Sequence, residues 1–133
     1  MATLNGTVHS VETIKANDRD PLQFAAVLFT VAGTYVQADN AQLVGVPTLI
    51  QNSRRNGKTV TMRSVGLWQP ARKETDATLF MALKTVAISS ADVTFEVTES
   101  ATAGTIDFST ELAAGAVPAQ ATPFGIIVGF TEA

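Results

Sequence analysis

The sequence lacks cysteine, and among its 133 residues it has one histidine, one tryptophan and one tyrosine. Without cysteine there is no thiol nucleophile, no thiolate zinc site and no disulfide framework. The absence also fits maturation in a reducing cytoplasm. The lone histidine, His9, has no partner pattern for a hydrolytic triad or a metal site. It reads as an exposed or hydrogen-bonded residue of a strand. Long apolar runs are missing too. A membrane helix needs about 20 such residues, and the runs at 24–29 and 126–128 are strand-sized. The opening MATLNGTVHSVETIK has no basic region followed by an apolar core, so no secretory signal is expected there.

Charge is scarce. Asp, Glu, Lys and Arg make up 16% of the chain, against an average near 25%. Such a chain either presents a Thr/Ser-rich surface or hides surface in an interface, because desolvating charge is costly. The charges are also unevenly spread. Residues 1–84 hold all 9 basic and 6 of the 12 acidic side chains, and residues 85–133 hold the other 6 acids and no base. A split of this kind favours association between faces of opposite sign.

What is present is β pattern. Residues 3–14 favour a strand, with a slip in alternation that predicts a bulge or bend near His9 and Ser10. Residues 15–21 (KANDRDP) read as a polar turn. Residues 22–32 form a nearly continuous apolar run, which predicts a strand buried on both faces. Residues 58–68 alternate as a half-exposed strand, residues 69–77 read as a polar loop, and residues 78–88 as a long apolar strand. Residues 93–98 alternate Val, Phe, Val with Thr, Glu, Thr, the pattern of a strand with one buried face. A short strand is expected within 106–112, an extended small-residue loop able to lie along a partner at 113–123, and a last strand at 124–131 with Phe124, Ile126, Val128 and Phe130 in register.

One helix interrupts this. Leu43, Val46 and Ile50 share a helical face, and Asp39 or Asn40 can cap it. Pro47 splits the pattern into a loose turn at 40–45 and a helix near 47–56. Arg54 and Arg55 meet the negative end of its dipole, and Asn56-Gly57 supplies a left-handed stop. Together these signals predict a mainly β single domain over 1–133. Its expected architecture is an antiparallel β-sandwich, jelly-roll or immunoglobulin-like, with that one short helix.

No catalytic constellation emerges. Asp18 and Asp20 lie in NDRD, but no glycine and distal glutamate follow as a calcium loop requires. Glu96, Glu99, Asp107 and Glu111 form no pair that the pattern places across a cleft. NGK at 56–58 ends a helix, whereas the lysine of a phosphate-binding loop begins one. No catalytic residue, metal site or cofactor is expected. Arg54, Arg55, Lys58, Arg63, Arg72 and Lys73 gather six of the nine basic residues within twenty positions. The chain is net acidic and the usual set of aromatic stacking residues is not interleaved with them, only Trp68 lying close, so nucleic acid is disfavoured. Protein contact is the favoured use, and Arg54, Arg55, Arg63, Trp68, Arg72 and Lys73 are the candidate interface residues, since Trp and Arg dominate interface energetics.

At GTYVQADNAQL and RRNGKTVTM the chain resembles the small head-decoration, or cement, proteins of tailed bacteriophages. The resemblance implies a β-sandwich made in the host cytoplasm that binds the outside of an assembled head as a dimer or trimer and reinforces it. It implies the major capsid protein and the chain itself as partners, the virion exterior as location, no membrane and no enzyme activity. It transfers no site residue. Two alternatives stay open: a self-assembling viral coat protein, and a carbohydrate- or receptor-binding sandwich module. Having only Trp68 and Tyr35 besides phenylalanine weighs against a sugar site.

Overall fold

The computed structural model describes residues 5–15, 22–37, 40–75, 79–100, 108 and 110–133. Its elements are β1 (Asn5–Lys15), β2 (Gln23–Ala32), β3 (Thr34–Tyr35), β4 (Ala41–Leu43), α1 (Val46–Arg54), β5 (Val60–Gln69), β6 (Ala71–Arg72), β7 (Phe80–Ile88), β8 (Val93–Glu99), β9 (Thr110–Glu111), β10 (Gly115–Ala116) and β11 (Phe124–Glu132). The protein is mainly β, as predicted, and among the described residues every strand pair is antiparallel. One sheet runs β1-β2-β11-β5. The second runs β4-β8-β7-β6, with β9 also on β8, and β10 pairs with β3 in a small ribbon.

The core lies between the sheets. β2 contributes Ala25, Val27, Phe29 and Val31, and β11 contributes Phe124, Ile126, Val128 and Phe130. Met81 and Leu83 of β7 and Val93, Phe95 and Val97 of β8 meet them. The period of two along β11 is the one expected from its sequence. The Phe29 and Phe124 rings lie 6.1 Å apart, tilted by 30°, within the range of favourable aromatic pairs.

The first sheet curls into a half-barrel, and α1 packs against both of its edge strands, β1 and β5. Val46 and Ile50 of the helix enter the core. Gln51 Oε1 accepts from the Val60 N–H at 3.0 Å, and the Ser53 hydroxyl donates to the Val11 carbonyl at 3.3 Å. Pro47 sits in the first turn and Arg54 in the last, where the sequence places them. The stop falls two residues early: Arg55 itself is left-handed (φ 52) and caps onto the Gln51 carbonyl, and Gly57 follows with φ 72.

Other segments differ from expectation. Residues 40–45 form no helical turn. Asn40 is left-handed, β4 pairs with β8, and Gly45 with φ 71 starts the helix without a side-chain cap. The loop at 69–77 contains β6, which pairs with β7. The expected turn at 15–21, apart from Lys15, lies outside the described residues, as do 101–107 of the segment leading to β9.

The segment at 113–123 is extended, and hydrogen bonds within this chain hold it. The Gln120 side-chain amide accepts from the Val31 N–H at 2.8 Å and donates to the Val31 carbonyl at 2.9 Å, as a paired strand residue would. On the other side the Glu74 N–H donates to the Ala119 carbonyl and the Ala121 N–H to the Arg72 carbonyl, both at 2.8 Å. These bonds stitch β2 to β6 and so join the two sheets at one end.

Candidate protein–protein interface

The six candidate residues are distributed along β5 and beyond its two ends. Arg54 and Arg55 close α1 just before the strand, and Arg72 and Lys73 follow it in and after β6. A ten-residue strand separates them by roughly 30 Å. They do not form one basic patch.

At the helix end, Arg54 is committed to the fold. Its guanidinium donates to Glu132 at 2.8 and 3.4 Å, and Gln23 Nε2 (2.6 Å) and Asn56 Nδ2 (2.7 Å) donate to the same carboxylate. The Glu132 side chain is 3% exposed. Arg54 beside it, helped by the Asn56 and Gln23 donors, holds the carboxyl down at about 2 against desolvation. The guanidinium is pushed up by the same bond. This cluster ties α1 to the ends of β2 and β11. Arg55 is exposed and donates to the Asn52 carbonyl at 3.3 Å.

At the far end, Lys73 pairs with Glu99 at 2.7 Å, a half-buried bridge between the β6 end and β8. Arg72 is half-buried, and its Nε lies buried without a hydrogen-bond partner.

Arg63 and Trp68 are the two candidates on β5 itself, and bulges aim them. Met62 pairs with Phe130 and Ser64 with Gly129, so Arg63 is the extra residue. Leu67 pairs with Ile126 and Gln69 with Gly125, so Trp68 is extra again. Bulges re-aim side chains in this way. Arg63 donates through Nε to Thr131 Oγ1 at 3.2 Å, on the side of the sheet away from the core. Trp68 is 47% exposed on that same side. It lies over Gly125, where an added Cβ would come within 2.9 Å of the indole Cε3 and 2.8 Å of Gln69 Cγ. Glycine is required there by close approach.

The sequence reading missed the polar groups that organise the interior. Tyr35 is fully buried. Its hydroxyl donates to Glu111 at 2.7 Å and accepts from the Val97 N–H at 3.2 Å. Burial, reinforced by Glu111, pushes the phenol up to about 12. Tyr35 is therefore withdrawn from any sugar-stacking role. The signal for close approach was present in FGIIVGF, where Gly125 and Gly129 share the face opposite the core. Asp18 and Asp20 lie outside the described residues, and His9 is exposed at the β1 bulge predicted for it.

A hollow lined by Phe29, Val31, Leu43, Leu83 and Phe95 has a volume of ≈ 10 Å³. That is the room of about one water molecule, far below the several hundred Å³ of a substrate pocket. Among the described residues no three of His, Cys, Asp and Glu come together as metal ligands, and no helix is long and apolar enough to cross a membrane. No protein-family model, curated protein or solved structure matches the chain.

Proposed function

We propose that this protein works by binding alone, as a structural component that sits on the outside of an assembled phage head and stabilises it. The observation that carries this reading is where its side chains are spent. The unusual polar groups, Glu132 with Arg54 and Tyr35 with Glu111, hold the fold together, while large apolar residues such as Trp68 and Ile14 are displayed at the surface. An exposed apolar surface on a low-charge domain suits attachment to other protein. On a shell, many modest contacts repeated by symmetry act together. The partners in this reading are the major capsid protein and further copies of the chain, on the virion exterior, with no catalytic step.

Sedimentation tests it. The purified chain is mixed with undecorated heads built from the capsid protein of the same virus. It should co-sediment, saturate at a fixed ratio per capsid protein, and raise the temperature at which heads rupture. Absence of co-sedimentation at saturating protein would refute the reading. Assembly of the chain alone into megadalton particles would replace it with a coat function.

A further inference from the structure

The side of the β1-β2-β11-β5 sheet that faces away from the core is itself largely apolar. Register places its residues in three rows across the strands. One row holds Ile14, Phe24, Gly129 and Ser64, the next Glu12, Ala26, Ile127 and Gly66, and the third Ser10, Leu28, Gly125 and Gln69, with Trp68 beside it. Side-chain positions agree. A Cβ on Gly125 would meet Trp68, Gln69 and Leu28, and one on Gly129 would meet Ser64, Phe24 and Leu22. Ile14 is 58% exposed, and Leu28, Phe24 and Ile127 are half-buried. α1 and the second sheet pack on the opposite face.

We propose that this face is where two copies of the chain associate, sheet against sheet, about a two-fold axis running along the strands. Three observations point to a second copy as the occupant. First, size: four strands of nine to eleven residues span roughly 30 Å by 19 Å. Side-chain relief brings that area towards the ≈ 800 Å² per partner of a stable interface. Second, relief: Gly66 leaves an open hollow on the same face as the knobs Ile14, Leu28 and Trp68, so the face holds both halves of a self-complementary contact. Third, charge: Glu12 and Arg63 sit on opposite edges, on β1 and β5. An axis along the strands lays β5 over the partner's β1; the register puts Arg63 level with positions 14–15 there, and the offset of roughly 8 Å to Glu12 is one that two long side chains can span, twice in the dimer. The centre is apolar and the rim polar, the anatomy of an interface. The proposal is independent of whether the chain binds a phage head.

Gly66 makes the test clean. A Cβ there meets nothing within 4 Å and its φ is not in the left-handed region, so a side chain can be added without disturbing the monomer. Molar mass is measured by sedimentation velocity or light scattering, up to about 100 µM protein. The wild type should reach twice 14.0 kDa, and Gly66→Glu and Ile14→Glu should each weaken the dimer at least tenfold while the melting temperature of dilute protein stays unchanged. Arg63→Glu should weaken it less, and adding Glu12→Arg should restore it. A wild type that stays monomeric, a trimer, or a dimer indifferent to both Gly66→Glu and Ile14→Glu would overturn the proposal. Failure of the double charge reversal to restore association would overturn the axis.

Discussion

β2 and β8 exchange the roles that their sequences suggest. β2 reads as apolar on both sides, yet only its inner face is sealed throughout; on the other side the small Ala26 is buried while Phe24 and Leu28 remain half-buried. β8 alternates like a one-sided strand, yet Thr94 and Thr98 are 8% and 4% exposed, buried like Phe95 and Val97 between them. Hydrophobic pattern reports what a face is made of. Coverage depends on what the rest of the chain lays over it. β8 is central in its sheet, flanked by β7 on one side and by β4 and β9 on the other, and its covered hydroxyl at Thr98 is satisfied by the Ala82 carbonyl at 3.4 Å. β2 is central as well, but its outer face stays partly open at Phe24 and Leu28. An apolar surface left open in this way is available to another molecule.

Substitutions on the two faces of the first sheet should separate most widely. Phe124→Ala, which empties a fully buried site against Phe29, should cost about 3–5 kcal/mol. Leu28→Ala on the outer face should cost under about 1 kcal/mol in dilute protein. Urea unfolding of the two variants measures the difference, and equal losses would mean the outer face is packed after all.

Next in size is the carboxylate that locks the helix to this sheet. Glu132→Gln should cost roughly 1–3 kcal/mol, since it leaves the Arg54 charge without its partner. The pH dependence follows from the direction of its shift. The folded carboxyl titrates at about 2, below its ordinary value of 4.5. Its contribution is therefore full above about pH 4.5 and is lost as pH falls towards 2. Melting temperature from pH 6 to pH 2.5 should fall less steeply in the variant than in the wild type.

Two buried hydroxyls then sharpen the view of β8. Tyr35→Phe strands both Glu111 and the Val97 N–H and should cost about 1–2 kcal/mol. Thr98→Val removes one long bond while keeping shape and should change stability by under about 1 kcal/mol. Chemical denaturation orders the pair, and a larger loss from Thr98→Val would reverse the assignment of which hydroxyl organises the second sheet.

Much of the fold was legible in local chemistry. The apolar positions of β11 fall on the core as their spacing requires, Pro47 opens the helix, and the slip at His9 is a real bulge. What failed needed information from distant residues. The bulges at Arg63 and Trp68 arise only in register with β11, whose Gly129 and Gly125 pair beside them. β6 and β10 are two residues long and have no pattern to read. What residues 113–123 bond to within the chain could not be read locally, because the partner of Gln120 is Val31, 89 positions away. Distance along the strand also separates the candidate interface residues. Nearness in sequence grouped Arg54 with Lys73, whereas β5 holds them at opposite ends and ion pairs engage both. Arg63 and Trp68 are the two that share the open face.

The central claim is that the outer face of the first sheet, open in the single chain, is covered when the protein works. Trp68 is the only tryptophan and lies on that face, so acrylamide quenching of its fluorescence reads coverage directly. In dilute protein it should be readily quenched, and quenching should fall several-fold as concentration rises to about 100 µM, with Gly66→Glu abolishing the change. Quenching that stays the same at every concentration in the wild type would contradict the account.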